Sequence, residues 1–281
     1  MIPIDLNRIR DVLQAALKED IGAGDVTSRA TIPESATAVA RYTTKQPLVV
    51  SGVLVVAELV RMVDSNLKYT TLSADGDYVE TGTALAEMYG SARSILAAER
   101  VTLNLLQRTC GIATMTRHYV DLVRGTKAKV IDTRKTAPGL RLLDKYAVAC
   151  GGGTNHRMGL FDAVLIKNNH LAFHKSLTET VAQARRNLGG SATLEVEVAG
   201  LDQLDEAIHA KADVILLDNF TPVQTRHAVI QCGGRVPLES SGGITLENIR
   251  EYAVAGVDRI SVGALTHSVL AADIHLRVIP S

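Results

Sequence analysis

The chain has 281 residues, of which 46% are hydrophobic and 21% are charged, and its 30 basic residues balance its 30 acidic residues. This composition excludes a disordered or fibrous protein, and the length favours one or two domains. Because the net charge is zero, no broad basic surface is available to release counterions from a nucleic acid backbone, and no nucleic acid partner is expected.

The longest apolar stretch, residues 48–60, is interrupted by Ser51, Gly52 and Glu58, and it is too short to cross a bilayer. At the beginning of the sequence, no basic segment precedes an apolar one, as it would in a signal peptide. The three cysteines lie far apart and lack the spacing of a zinc site or a disulfide framework. These patterns predict a cytoplasmic protein with no membrane contact and reduced cysteines.

Residues 1–110 are predicted to form an N-terminal α+β sandwich domain. Helical periodicity covers residues 6–19 and 95–107, and a β-rich middle from 38 to 88 lies between them. Within that middle, residues 75–85 have the glycine and valine spacing of a hairpin found in lipoyl and biotinyl carrier domains. The lysine that such carriers modify is missing, since Ala92 and Arg93 stand in its place.

Residues 111–281 are predicted to form a second domain, with the last residues, 274–281, as candidates to return to the first. Short aliphatic runs alternate here with helical segments such as 201–210 and 246–255. The six predicted strands are 129–132, 163–167, 194–198, 214–218, 236–240 and 259–263.

Strands that alternate with helices at this spacing indicate a parallel sheet, and nearly continuous apolar strands indicate helices on both faces. The fold class is therefore α/β, and six strands favour an irregular, incomplete α/β barrel over a complete one with eight. In such barrels the chemistry occurs at the C-terminal ends of the strands. Lys167, Asp218 and Ser241 fall at or just beyond those ends, and Glu197 is one residue short of one.

Basic residues are concentrated between positions 134 and 167, where the chain has Arg134, Lys135, Arg141, His156, Arg157 and Lys167. The first two directly follow a predicted strand, and Pro138 and Gly139 then prevent a helix, so both should project from a fixed loop. Arginine offers a planar fork for a carboxylate, and lysine a compact charge for a phosphate. This segment predicts a pocket for a small molecule with several negative charges, although a solvated basic loop is the structural alternative.

A glycine triplet at residues 151–153 permits close backbone approach just ahead of His156 and Arg157. The spacing matches neither a nucleotide P-loop nor a dinucleotide-binding fingerprint. His156 by itself would more often be an ordinary core or surface histidine. Its place beside Arg157, and ahead of Lys167, favours a binding site.

Glu197 and Asp218 lie in different apolar strands, where an unpaired carboxylate would cost several kcal/mol to desolvate. Such a pair could bind sugar hydroxyls, hold a hydrated Mg²⁺, or stabilise positive charge at an anomeric carbon. The alternative is a structural ion pair with arginine or lysine. Glu195 and Glu239 also fall in strands, and the sequence does not decide which carboxylates point inward.

The last two strands are each followed by glycines and a small hydroxyl residue ahead of a helix. The segments concerned are residues 240–244, which contain Ser241, Gly242 and Gly243, and residues 262–267, which contain Gly263 and Thr266 and end at His267. Backbone N–H groups in such turns often bind a phosphate, although glycine turns also occur without a ligand.

Taken together, these segments resemble the quinolinate phosphoribosyltransferases, decarboxylating enzymes that make nicotinate mononucleotide in NAD biosynthesis. The resemblance covers nearly the whole chain. It includes KEDIGAGDVT at 18–27, ERVTLN at 99–104, DTRKT at 132–136, GGGTNHR at 151–157, IKNNH at 166–170, and the later segments LEVEV, LLDNF, ESSGG and SVGALTH.

The resemblance implies transfer of phosphoribosyl from phosphoribosyl pyrophosphate to quinolinate with loss of CO₂, and a homodimer in which Arg100 enters the neighbouring subunit's site. It implies Mg²⁺ as the cofactor and Lys135, Glu197 and Asp218 as catalytic residues. By the same resemblance, the two quinolinate carboxylates would be held by Arg134, His156, Arg157, Lys167 and Arg100. Lys135 would contact pyrophosphate, and Glu197 and Asp218 would contact the ribose hydroxyls and the metal. The 5′-phosphate would be bound by Ser241, Gly242, Gly243, Gly263 and His267.

Other functions stay open on the sequence alone. A paralogue of the same fold, from the group associated with molybdate transport, would act on a different substrate. Nicotinate phosphoribosyltransferase acts on an acid with one carboxylate, which would not require so many cations. Outside the enzymes, the hairpin at 75–85 allows a carrier module, and a non-catalytic barrel could bind phosphoribosyl pyrophosphate without turnover.

Overall fold

The structure is a computed structural model that describes residues 4–188 and 192–281. Its contacts divide the chain into two compact units. The first contains residues 4–117, 136–152 and 265–281, and the second contains 118–135 and 153–264. The predicted division into 1–110 and 111–281 stays a prediction.

The helices of the described residues are a 3₁₀ turn at Leu6–Ile9, α1 (Arg10–Ile21), α2 (Val26–Thr31), α3 (Val53–Val63), α4 (Ala92–Leu122), α5 (Arg141–Cys150), α6 (Asn168–Leu171), α7 (Leu177–Leu188), α8 (Leu201–His209), α9 (Pro222–Cys232), α10 (Ile249–Ala255) and α11 (Ala264–His267). The strands are β1 (Thr37–Thr44), β2 (Leu48–Val49), β3 (Lys68–Thr71), β4 (Tyr78–Val79), β5 (Ala84–Ser91), β6 (Lys129–Ile131), β7 (Val164–Ile166), β8 (Leu194–Val198), β9 (Val214–Asp218), β10 (Leu238–Ser241), β11 (Arg259–Ser261) and β12 (Ile274–Pro280). None of these helices is long and apolar enough to cross a membrane.

The first unit contains an antiparallel sheet in the order β12–β1–β5–β3. Alternate residues of β1, from Ala38 to Thr44, are buried, as expected for a strand with one face on a core. Side chains of α3 and α4 belong to the same buried cluster as those of β1 and β5, for example Val56, Ile95 and Leu106. The predicted α+β sandwich is therefore confirmed.

The β-rich middle predicted for residues 38–88 was wrong in one part, because Val53–Val63 forms helix α3. Its valines favour a strand locally, but five of its apolar side chains are buried. Three of them pack with the sheet and α4, and Val55 and Leu59 belong to a second cluster that includes side chains of α1 and α4. The carboxylate of Asp75 accepts a hydrogen bond from the Val53 N–H at 3.1 Å, which satisfies one of the free donors at the helix start.

The hairpin predicted at residues 75–85 was also wrong. Strand β4 pairs with β2, whereas β5 pairs with β1 and β3, so the two strands of the supposed hairpin belong to different sheets. The helix predicted at 95–107 is longer than expected and runs through Gly111. A Cβ at Gly111 would lie 2.0 Å from the Leu270 carbonyl oxygen, so this glycine permits close packing and does not end the helix.

The second unit contains a six-stranded parallel sheet in the order β6–β11–β10–β9–β8–β7. All six predicted strands are present. The fifth begins at Leu238, two residues late, directly after Pro237, which lacks the N–H that a strand interior requires. Within the described residues, β6 and β7 do not pair with each other. The sheet is thus open, and the predicted irregular, incomplete α/β barrel is confirmed.

Candidate active site

A cavity of about 360 Å³ lies at the C-terminal ends of the parallel strands in the second unit. Ten of the thirteen predicted site residues line it: Arg134, Lys135, His156, Arg157, Lys167, Glu197, Asp218, Ser241, Gly242 and Gly243. Gly263 follows β11 in the same unit and is not part of the lining. Arg100 and His267 are exposed residues of the first unit.

A larger cavity, about 480 Å³, occurs in the first unit between α1, α2, α3 and α4. Two of its four charged side chains are engaged in local structure. Asp25 accepts hydrogen bonds from Ser28 at the start of α2, and Arg93 donates to the Ile32 carbonyl at 2.8 Å. We therefore place the chemistry in the smaller cavity, where cations, carboxylates and glycine turns converge.

Two half-buried guanidinium groups, of Arg134 and Arg157, form part of this cavity. Burial and the nearby Arg134 cation lower the pKa of Arg157 below its ordinary value, since both disfavour a second positive charge. One nitrogen of Arg157 donates to the Ala163 carbonyl oxygen at 3.0 Å, which fixes the side chain. Crowded, partly desolvated cations of this kind favour an anionic ligand.

Lys167 and Glu197 face each other, with Nζ and Oε2 separated by 3.5 Å. The glutamate side chain is 11% exposed and the lysine side chain 50% exposed, so the amine is accessible at the cavity surface. The structural ion pair considered from the sequence does exist, but both partners also line the cavity. Asp218 ends the adjacent strand β9, beside Ser241 on β10.

The glycine turn after β10 makes a close contact that other residues would prevent. Gly242 has φ near +100°, and an added Cβ would lie 2.2 Å from Oδ1 of Asn219. Asn219 itself has φ of 56°, and its N–H donates to the Ser241 carbonyl oxygen at 2.8 Å. Asn219 was not among the predicted site residues, and its position directly after a strand-end aspartate was the available signal.

Asp132 is a second residue that the sequence analysis missed as part of the site. It is fully buried at the end of β6, and its two oxygens accept hydrogen bonds from the Asn155 side chain at 2.7 Å and the His156 N–H at 2.8 Å. A buried carboxylate with two donors is well stabilised. It fixes the segment after the glycine triplet relative to the sheet.

Glu195 and Glu239 are both buried, and Glu239 lines the cavity, which answers the question that the sequence left open. Glu195 lies two residues before Glu197 on β8, and residues at this spacing in a strand share a face. Oε2 of Glu195 is 2.9 Å from Nε2 of His156, and Ser261 donates a hydrogen bond to Glu239. Burial, followed by repulsion from Glu195, raises the pKa of Glu239 to about 7.

Two sets of oxygen donors could contact a cation. Glu197 and Asp218 line the cavity and provide carboxylate oxygens, the ligands that Mg²⁺ prefers. As a pair, they fit an ion that is bound mainly through substrate and water. In the second set, His156, Glu195 and Glu239 have ligand atoms that all lie within 4.8 Å of one another, and His156 and Glu239 also line the cavity.

Comparisons with known proteins identify relatives along nearly the whole chain. The family model of the quinolinate phosphoribosyl transferase C-terminal domain matches residues 112–277, and that of the N-terminal domain matches 25–110. A probable nicotinate-nucleotide pyrophosphorylase [carboxylating] of Bacillus subtilis is 42% identical over 96% of this chain and 93% of its own length. The nicotinate-nucleotide pyrophosphorylase [carboxylating] of Mycobacterium leprae is 45% identical over 97% of this chain and 98% of its own length.

Solved structures agree with the sequence comparisons. The crystal structure of NadC from Streptococcus pyogenes superposes with a TM-score of 0.96 at 36% identity, and the match covers all of both chains. The nicotinate-nucleotide pyrophosphorylase from Francisella tularensis gives a TM-score of 0.92 at 41% identity, over 99% of this chain and 98% of the other. Both family models together with these full-length matches show that the chain belongs to the quinolinate phosphoribosyl transferase family.

Proposed function

We propose that this protein transfers phosphoribosyl from phosphoribosyl pyrophosphate to quinolinate, with release of pyrophosphate and CO₂, and so forms nicotinate mononucleotide for NAD biosynthesis. The observation that carries the proposal is the convergence of Arg134, Arg157 and Lys167 with two carboxylates and a glycine turn in one cavity. Curated relatives at 42% and 45% identity are named for this reaction.

The cationic side of the cavity would bind quinolinate. Its two carboxylates require more positive charge than the one carboxylate of nicotinate, and Arg134, Arg157 and Lys167 supply three cations. His156 lies among them. Arg100, exposed on α4, would add a further cation from the neighbouring subunit of a homodimer.

The side of the cavity that contains the glycine turn after β10 would bind phosphoribosyl pyrophosphate. Ser241, Gly242 and Gly243 offer a hydroxyl and closely approaching backbone for the 5′-phosphate, and Gly263 and His267 are proposed to add to this contact. Lys135, exposed in the loop after β6, would contact the pyrophosphate as a compact cation.

The reaction follows from this placement of charge. Holding the pyridine nitrogen against the anomeric carbon replaces a bimolecular encounter with a positioned attack. As pyrophosphate departs, the ribose becomes oxocarbenium-like, and the carboxylates of Glu197 and Asp218 would stabilise its positive charge and orient its hydroxyls. Mg²⁺, held by these two residues largely through substrate and water, would neutralise the phosphate oxygens.

Decarboxylation then needs no further cofactor. Once the ribosyl bond has formed, the ring nitrogen is cationic, and its charge stabilises the electron pair that stays on the neighbouring ring carbon when the carboxylate leaves as CO₂. That carbon then takes a proton from solvent, which gives nicotinate mononucleotide. The protein's part is to orient that carboxylate and limit its solvation, which Arg134 and Arg157, half-buried in the cavity wall, are suited to do.

We also propose a cytoplasmic location. Cys110, Cys150 and Cys232 are buried and form no disulfide bond, as expected in a reducing compartment. Nothing in the comparisons favours the alternative of a paralogue associated with molybdate transport, since the relatives described above are named for nicotinate nucleotide chemistry.

The test is incubation of the purified protein with phosphoribosyl pyrophosphate, Mg²⁺ and quinolinate that is labelled in the carboxylate next to the ring nitrogen. Nicotinate is the control substrate. We expect nicotinate mononucleotide and labelled CO₂ in equal amounts from quinolinate, and no nucleotide from nicotinate. Nucleotide formed from nicotinate at the same rate, or binding of phosphoribosyl pyrophosphate without turnover of either acid, would contradict the assignment.

A further inference from the structure

We infer that Glu195 is a positioning residue for quinolinate binding, which acts through His156 to fix the backbone that carries Arg157. The inference rests on the proposed function and deepens it. It also changes the expected role of His156, from a side chain that contacts the substrate to one that holds the neighbouring cation, Arg157, in place.

The hydrogen bonds of the His156 ring define its tautomer. Its Nδ1 accepts the backbone N–H of Arg157 at 2.7 Å, and a nitrogen that accepts a hydrogen bond carries no proton. The proton of the ring must then lie on Nε2, which is 2.9 Å from Oε2 of Glu195. Nε2–H therefore donates to Glu195, and each ring nitrogen has a partner inside the protein.

This arrangement leaves His156 no N–H with which to bind a substrate carboxylate. The ring instead closes a chain of contacts from the sheet to the cation, because Glu195 holds Nε2 and Nδ1 holds the Arg157 N–H. The backbone N–H of His156 is bound in turn to Asp132, and the Arg157 side chain to Ala163. Arg157 is thus fixed from both its backbone and its guanidinium.

Glu195 is suited to this task because it cannot move away at low cost. It is 5% exposed, on a strand whose five residues are all buried, and its other oxygen, Oε1, has no hydrogen bond partner in the described structure. Glu239 is less well placed, since its Oε1 is 3.9 Å from Nε2 and receives the Ser261 hydroxyl. The histidine therefore depends on Glu195.

The same tautomer argues against a metal ion among His156, Glu195 and Glu239. Their ligand atoms are close enough for one, but a histidine nitrogen that carries a proton has no lone pair to give to a cation. A histidine that binds a metal through Nε2 donates from Nδ1, whereas Nδ1 here accepts. Hydrogen bonding, and not metal coordination, explains the cluster.

Two substitutions of similar size separate the hydrogen bond from simple packing. Glu195→Leu removes the acceptor for His156, while Glu195→Gln keeps an acceptor oxygen, and its amide can donate to Oε2 of Glu239, which has no hydrogen bond partner in the described structure. We expect Glu195→Leu to raise the quinolinate KM about tenfold or more, and Glu195→Gln to stay within about threefold of the original protein.

The KM for phosphoribosyl pyrophosphate provides the internal control. It should change by less than about twofold in both variants, because its proposed phosphate contacts follow β10 and β11, and Glu197 on β8 is not part of the hydrogen bonds that run through His156. An unchanged quinolinate KM in Glu195→Leu would overturn the inference. So would an equal rise of both KM values together with a lower melting temperature, since that result would show a purely structural role.

A spectroscopic measurement tests the inference without any activity. In ¹⁵N-edited NMR of the ligand-free protein at neutral pH, with His156→Gln used for assignment, we expect Nε2 of His156 to be protonated and Nδ1 not. The reverse pattern, or a stoichiometric metal ion in the purified protein that is lost in Glu239→Gln, would refute the inference. Because this readout needs no substrate, it stays informative even if the protein made no nicotinate mononucleotide.

Discussion

Arg108 and Asp144 form a bidentate ion pair in the first unit, and the Nε–Oδ1 and Nη2–Oδ2 distances are both 2.9 Å. The aspartate side chain is completely buried and the arginine side chain is 23% exposed. A carboxylate in this position depends on its cation, because without it the hydrogen bond from the Ala137 N–H at 3.3 Å would offset only part of the cost of a buried charge.

Arg108→Met should therefore lower the free energy of unfolding by about 3 kcal/mol, measured by urea denaturation. Arg124→Met is the matched control, since Arg124 pairs with Asp121 at the same distance of 2.9 Å while both side chains are largely exposed. That control should cost less than about 1 kcal/mol. Equal losses in the two variants would show that burial of Asp144 does not determine the effect.

Replacement of the cavity cations should affect one substrate and not the other. We expect Arg134→Ala and Lys167→Ala each to raise the quinolinate KM by about 10- to 100-fold, because each removes a charge-assisted contact to a carboxylate. Lys175→Ala is a suitable control, since Lys175 is exposed and outside the cavity. Steady-state kinetics with each substrate varied in turn provides the measurement, and unchanged constants for both variants would remove these residues from the site.

The two glycines after β10 should respond differently to substitution. An added Cβ in Gly242→Ala would lie 2.2 Å from Oδ1 of Asn219, whereas Gly243→Ala would meet nothing within 4 Å. Both positions have positive φ, so the backbone cost of about 1 kcal/mol applies to each. We expect a clear rise in the KM for phosphoribosyl pyrophosphate only in Gly242→Ala. A similar rise in both variants would mean that conformation alone, and not the close contact with Asn219, controls the turn.

The buried carboxyl of Glu239 should make stability depend on pH. Its pKa is raised from an ordinary value of 4.5 to about 7, first by burial and then by Glu195. Between these values the unfolded chain has lost the proton that the folded protein keeps, so the Glu239 contribution to stability falls as the pH rises from 4.5 to about 7 and is constant above that. Below 4.5 it is constant as well, since both states are protonated.

Glu239→Gln should remove this dependence, because an amide does not titrate in this range. Urea denaturation of both proteins at about pH 5 and about pH 8 measures the effect, and the original protein should lose more stability between these two conditions than the variant. Parallel pH dependence in the two proteins would contradict the raised pKa. The comparison cancels the titration of other groups, which both proteins share.

The sequence predicted the parallel sheet well, since each of its strands is a short aliphatic run followed by a polar residue. The first unit was harder to predict. The valines of α3 have high strand propensity, and only their packing against the sheet and α4 makes that segment helical. Likewise, β4 and β5 are neighbours in sequence but not in the sheet, and local spacing does not contain that information.

The cationic part of the site was predictable from charge, because Arg134, Lys135 and Lys167 follow strands at the edge where parallel strands present their C-terminal ends. The hydrogen bond between Glu195 and His156 was not predictable in this way. Whether Glu195 faces inward depends on the register of β8, and the tautomer of His156 depends on a contact across 39 positions of sequence. Such information appears only when the strands are placed side by side.

Strand β12 pairs with β1, so that Ala38 lies opposite Pro280. During synthesis on the ribosome, β1 emerges early, and its partner is made only after every strand of the parallel sheet. Contacts between such distant positions slow folding, and an unpaired strand edge is prone to associate with other chains. One edge of β1 therefore stays without its strand partner until β12 has been synthesised.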